Sequence, residues 1–322
     1  MRDVIVGDLA LVPDRPLGWS LQRAAIIQFD KAINAITDSE MAVPQGVHEA
    51  RKATKRIRAT LRLVRCEIGK ELYRYENRAV RDAARLLSPL RTSHVAVESL
   101  DGLRDRFGSR LSDSAFDDLD VRLRHREQAI ETDAVATGVV SDFVRAMRFG
   151  RARFASWSVS PDAESPYGGH IRDDFDALAP GLVRTYKRGR RGMERARKTP
   201  SVANLHEWRK RVKYLRHQTE VLAPLWPEVV GGLSVAVDHL GDLLGHDHDL
   251  ADLVRLVTVR PELCPDALDR SLLSALAQQE RTEVLAGAYV AGERIYAESP
   301  NAFAARLGSY WGSLMSARDP AL

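Results

Sequence analysis

The sequence predicts an all-α protein, and three observations carry that prediction. Apolar residues recur at three- and four-residue intervals through most of the 322 residues, the period of helices with one buried face. Hydrophobic residues make up 44% and charged residues 29%, a balance that suits long amphipathic helices around a real core and excludes a disordered chain. The 14 prolines and 21 glycines are too few for a turn-rich β-sandwich.

Taken in order, the first helix spans 17–37, where Leu17, Leu21, Ala24, Ala25, Ala32, Ala35 and Ile36 keep the helical spacing. Segments 48–68, 71–88, 94–107 and 114–148 follow with the same period. Pro161, Pro166, Gly168 and Gly169 interrupt it and mark a linker at 162–170. Helices are then expected at 172–197, 202–223, 228–245, 248–258 and 266–286, with a last one near 300–317. The chain divides accordingly into an N-terminal segment 1–15, a first helical repeat 16–160, a linker 161–171 and a second repeat 172–318. No stretch of about 20 apolar residues could span a membrane. The N-terminus carries Asp3, Asp8 and Asp14 in place of an apolar leader. Cys66 and Cys264 lack metal-ligand spacing and fit a reducing compartment, so a cytoplasmic location is expected.

Two matches at nearly the same offset point to an internal repeat. His48-Glu49-Ala50-Arg51-Lys52-Ala53-Thr54-Lys55-Arg56-Ile57-Arg58 returns 158 residues later as His206-Glu207-Trp208-Arg209-Lys210-Arg211-Val212-Lys213-Tyr214-Leu215-Arg216. Leu86-Leu87-Ser88 echoes Leu243-Leu244-Gly245 at nearly the same offset. Two matches at one offset suggest a duplicated helical unit.

Charge is segregated along the chain. The net charge is +4, yet segments 48–65, 184–198 and 206–216 together carry +17 and leave −13 for the rest. Concentrated positive charge draws in anions. On a helical wheel, His48, Arg51, Lys52, Lys55, Arg58 and Arg62 fall in one sector, opposite Ala50, Ile57, Leu61, Val64 and Ile68. His206, Arg209, Lys210, Lys213 and Arg216 form the matching stripe, opposite Trp208, Val212, Leu215 and Leu222. Like charges at i, i+4 repel by about 0.2–0.5 kcal/mol per pair, a cost that a polyanion along the stripe would relieve. Ser201 is placed to cap the second copy. One basic helix is an ordinary solvated face. Two matching copies are harder to dismiss that way.

Other chemistries find weaker support. His239, Asp242, His246, Asp247, His248 and Asp249 form an acid–histidine cluster that could serve a metal-dependent phosphohydrolase, but the first half has no counterpart except His94. No Gly-x-x-x-x-Gly-Lys-Ser/Thr loop or Gly-x-Ser-x-Gly elbow is present. Nucleic-acid binding is the less favoured alternative, because the basic faces carry almost no aromatic side chains for base stacking. No enzyme activity and no cofactor is expected.

These residues resemble the CHAD domain family (conserved histidine α-helical domain). The resemblance rests on the two His-x-x-Arg-Lys-x-x-Lys helices, the run Tyr186-Lys187-Arg188-Gly189-Arg190-Arg191 before the second, and a Leu-Gly…Asp element after each. It covers roughly 15–315. It implies two pseudo-symmetric four-helix bundles with a central basic channel, binding of inorganic polyphosphate, and association with polyphosphate granules and the proteins on them. It assigns binding roles to His48, Arg51, Lys52, Lys55, Arg58, Arg62, Lys187, Arg190, Arg191, His206, Arg209, Lys210, Lys213 and Arg216. One departure stands out: Leu87-Ser88-Pro89-Leu90-Arg91-Thr92 lacks the aspartate that Asp249 keeps in the second half.

Overall fold

The computed structural model describes residues 7–108, 116–157 and 170–318. These residues are all-α, with eleven α-helices, a few short helical turns and no strand among them. The expected linker at 162–170 lies outside the described residues apart from His170.

Helix α1 spans Leu17–Thr37 and α2 spans Val43–Leu63. The second begins earlier than its periodicity predicts because Pro44 sits in its first turn, where a fixed φ favours a helix start. Gly46 brings it close to α1: a Cβ there would meet the Ala35 carbonyl. Helices α3 (Lys70–Leu86) and α4 (Ser88–Phe107) follow with only Leu87 between them. Pro89 lies in the first turn of α4 and cannot donate to a continuous helix, so the chain breaks there. The single helix expected at 114–148 is two, α5 (Asp117–Ala136) and α6 (Val139–Ala155). Gly138, at φ 70°, supplies the left-handed turn between them.

In the second half, the turn Phe175–Ala177 precedes α7 (Ala179–Lys198) and α8 (Val202–Leu222). The Ser201 side chain caps α8 as expected, accepting from the Asn204 N–H at 3.2 Å. The two helices expected at 228–245 and 248–258 are one, α9 (Gly232–Val259). The sequence reading leaves a break at His246-Asp247 between those two helices. Packing overrides that reading: Gly245 and Asp247 are buried, and Arg281 on the next helix ion-pairs with Asp247 at 2.8 Å. Asp266 caps α10 (Ala267–Ile295), and α11 (Pro300–Arg318) ends the described chain.

Helices α1, α2, α3 and α6 pack as one four-helix group, and α7 to α10 as another with α11 laid on α7. The groups meet where α2 packs on α8 and α7. The apolar faces predicted for the two basic helices form this core: Ala50, Ile57, Leu61, Trp208, Val212 and Leu215 are fully buried in one cluster drawn from both halves. The N-terminal segment joins it, with Leu9 and Leu11 buried and the Leu11 N–H donating to the Val221 carbonyl at 3.0 Å. A second cluster forms where α4 and α5 reach across to α9 and α10, through Leu100, Leu103, Phe107, Leu250 and Leu273. Among the described residues, no helix is long and apolar enough to cross a membrane.

Candidate polyanion-binding cleft

The second cluster shapes a cleft. Helices α2 and α8 supply His48, Arg51, Lys55, Arg209 and Lys213; α4 supplies Arg91 and Thr92; α9 supplies His248, Asp249, Asp252 and Arg255. The cleft holds about 870 Å³ of empty space where it opens to solvent. Six cationic side chains face two carboxylates around it.

Each cation is positioned by a distinct local cause. Arg51 donates from Nη1 to the Ala84 carbonyl at 2.7 Å and the Ser88 hydroxyl at 3.0 Å. It thereby serves carbonyls left open where α3 ends, and it spends no carboxylate on doing so. Arg209 lies against Gly245, where a Cβ would touch its guanidinium. Its Nη2 is 3.8 Å from Asp249, which serves as the anchor for a basic side chain. Arg91 reaches Glu98 at 3.2 Å, and Arg255 reaches Asp252 at 3.5 Å. Lys55 and Lys213 make no ion pair or hydrogen bond with any described residue. Both are half-buried in the cleft lining.

That crowding moves protonation equilibria. Burial pushes Lys213 down to about 7, with Arg209 adding to the effect and Asp249 and Asp242 opposing it. Lys55 is driven well below the usual lysine value by burial, then by Lys213, Arg209, Arg51 and Arg91. His48 is lowered by burial and by Arg91, and His248 falls to about 4 by burial and Arg209. Asp249 is raised, chiefly by burial. Burial first, and neighbouring cations second, disfavour charge on these lysines.

The structure brings five of the residues predicted from sequence to this cleft: His48, Arg51, Lys55, Arg209 and Lys213. His206 stands behind it, its ring 4.5 Å from that of His248. The others separate. Lys52 pairs with Glu49, Lys210 with Glu207, and Arg58 donates to Asn77. Arg216 bridges Glu220 and Asp238. Arg62 lies over the Tyr214 ring, its Cζ 3.8 Å from the centroid, on the side of α8 away from the cleft. Arg190 binds Glu194 and the Glu298 carbonyl, while Lys187 and Arg191 are exposed on α7. None of these three lines the cleft. Sequence reasoning assigns none of Arg91, His248, Asp252 and Arg255 to this cleft. Asp252 and Arg255 stand in no motif of the sequence; Arg91 lies within the Leu87–Thr92 element without an assigned role, and His248 is a candidate for metal binding, not for this cleft.

The acid–histidine stretch on α9 does not converge. His246 binds Glu280 at 2.6 Å, Asp247 binds Arg281, and His248 lies 3.5 Å from Asp252. Among the described residues, no group of three or more His, Cys, Asp or Glu side chains is arranged to hold a metal ion.

Fold and cleft together define an all-helical protein with a cation-lined groove between its two halves. The family model for the CHAD domain matches residues 26–258, and the chain belongs to that family. Two solved structures share the fold. PptA from Streptomyces chartreusis superposes with a TM-score of 0.60 at 16% identity, over 88% of this chain and 100% of that one. The CHAD domain from the plant Ricinus communis gives 0.59 at 16% identity, over 94% of this chain and 95% of that one. No curated protein matches the chain.

Proposed function

We propose that the protein is a non-enzymatic binding module for inorganic polyphosphate. The observation that carries this reading is the pair of lysines, Lys55 and Lys213, that have no side-chain partner among the described residues and converge from two helices among Arg51, Arg91 and Arg209. A linear chain of phosphates supplies closely spaced negative charge without bulk, and arginine forks match phosphate oxygens. The ligand itself is what the CHAD resemblance implies. The cleft lining includes no Phe, Tyr or Trp for base stacking, which disfavours nucleic acid. Binding to this polymer brings the protein to polyphosphate granules and the proteins on them, and co-sedimentation with isolated granules checks that step.

Calorimetric titration with long-chain polyphosphate at two salt concentrations tests the reading. Affinity falls steeply with salt, each phosphate contact adding about 0.7–0.9 to the logarithmic slope. Single-stranded RNA at equal phosphate concentration does not displace the polymer. Arg51→Ala with Arg209→Ala weakens binding by on the order of 100-fold, the loss of two charge-assisted contacts. Arg81→Ala with Arg145→Ala, neither of which lines the cleft, has little effect. Equal losses in the two double variants would overturn the site.

A further inference from the structure

Helices α3 and α6 share an outer surface that the cleft does not use. They pack together, and Arg153 of α6 ties them by donating to both carboxylate oxygens of buried Glu76 on α3, each at 2.8 Å. Beside that pair two aromatic rings face solvent. Tyr75 on α3 is 59% exposed and Phe149 on α6 is 62% exposed. The Arg153 guanidinium sits 5.2 Å from the centroid of the Tyr75 ring, and Phe149 lies one helical turn before Arg153. The two rings therefore flank one arginine. Each has another arginine a turn away on its own helix, Arg78 for Tyr75 and Arg145 for Phe149.

The surroundings are cationic. The two helices hold nine basic residues against four acidic ones. Three of those acids are already engaged: Glu76 by Arg153, Asp82 by Arg81 and Arg85, and Asp142 by Arg145. Arg74 and Arg78 are exposed on the outer side of α3 and make no ion pair or hydrogen bond with any described residue. One exposed ring is ordinary on a protein surface. Two rings interleaved with guanidinium groups form a platform for a flat, anionic partner. Among the described residues of α3 and α6, no other large apolar side chain is exposed. The seam thus lacks the apolar floor on which a folded protein partner buries its own side chains. A nucleobase needs only an open π-face and a neighbouring cation.

We propose that the seam between α3 and α6 binds single-stranded nucleic acid, with Tyr75 and Phe149 stacking on neighbouring bases and Arg74 and Arg78 meeting the phosphates. This site is separate from the cleft and does not rest on its polyphosphate reading. Arg51 reaches α3 at the Ala84 carbonyl. Ala84 is half a turn around the helix from Tyr75 and about 13 Å further along it. The cleft lining has no aromatic ring, so stacking belongs to the seam alone.

Fluorescence anisotropy with a labelled oligo-U strand of about 12 nucleotides tests the proposal. Tyr75→Ala and Phe149→Ala each weaken binding by about 5–150-fold, the worth of one stacked base. Phe149→Tyr keeps the affinity, because the π-face remains. Arg74→Gln with Arg78→Gln lowers the logarithmic salt slope by about 1.4, for two phosphate contacts. An oligo-dT strand of equal length binds as oligo-U does, since neither rings nor guanidinium groups read the 2′-hydroxyl. The cleft variant Arg51→Ala with Arg209→Ala binds oligo-U as wild type does, and the ring variants bind polyphosphate as wild type does. The substituted seam side chains are exposed, so the fold is expected to survive, and circular dichroism checks this. An abasic strand that binds wild type as well as oligo-U does overturns the stacking role. Loss of oligo-U binding in the cleft variant puts the strand in the cleft and overturns the seam. A tenfold preference for either sugar overturns the assigned contacts. A wild type that binds neither strand overturns the proposal and leaves the cleft reading intact.

Discussion

Lys213 is the residue whose chemistry is most sensitive to its surroundings. With its pKa lowered to about 7, much of it is neutral at physiological pH until an anion arrives. Bound phosphate favours the ammonium, so binding takes up a proton. Affinity therefore falls as pH rises through 7. His48 and His248, both lowered, and Asp249, raised, act in the same direction, since protonating any of them adds positive charge to the cleft. Calorimetry in buffers of different ionisation enthalpy is expected to show proton uptake near pH 7.5 that shrinks in Lys213→Arg, whose guanidinium stays charged. The free protein shows the linked effect on folding. A lysine with a folded pKa below its unfolded value binds fewer protons when folded, so stability rises with pH between about 7 and 10. Lys213→Met flattens that part of the stability profile in urea denaturation.

At the scale of the element, α2 and α8 are two-faced helices whose apolar sides meet the core and whose basic sides diverge. The cap on α8 is a single contact from Ser201, and Ser201→Ala is expected to cost about 1 kcal/mol in chemical denaturation with polyphosphate affinity unchanged. Gly181 does more than permit a helix. It sets the approach of α7 to α2, and Gly181→Val is expected to destabilise by about 1–3 kcal/mol through overpacking against the carbonyls of Arg62 and Leu63. Helical periodicity identified which faces are buried, because burial follows the 3.6-residue repeat directly. It did not identify which cations share a cleft. Lys52, Arg58, Lys210 and Arg216 lie in the predicted stripes, yet their long side chains bend to nearby Glu49, Asn77, Glu207 and Asp238.

At the scale of the whole molecule, the cleft depends on contacts between distant parts of the chain. One wall is α4, held by the cluster that joins α4 and α5 to α9 and α10. Leu100 is fully buried there, and Leu100→Ala is expected to lower stability by about 2–5 kcal/mol and to weaken polyphosphate binding as the wall loosens. Leu307, equally buried on the inner face of α11, provides the comparison: Leu307→Ala lowers stability alone. Denaturation and calorimetry on the two variants check both halves of this expectation. Equal affinity in the two would mean that the wall does not shape the site.

What the sequence determined by itself was the local and the repetitive: the all-α class, the buried faces of α2 and α8, the cap at Ser201, and a surplus of cations on two matching helices. Each depends on residues within a turn or two of one another, where periodicity and side-chain chemistry suffice. Only the tertiary structure decided that α9 runs unbroken where the sequence suggested two helices. It alone placed Arg91 and His248 beside Arg51 and Lys213, and left Lys187, Arg190 and Arg191 of α7 outside the cleft. Those outcomes turn on packing between separate helices, where burial and close glycine contacts override local preference, and no short-range pattern in the chain records them.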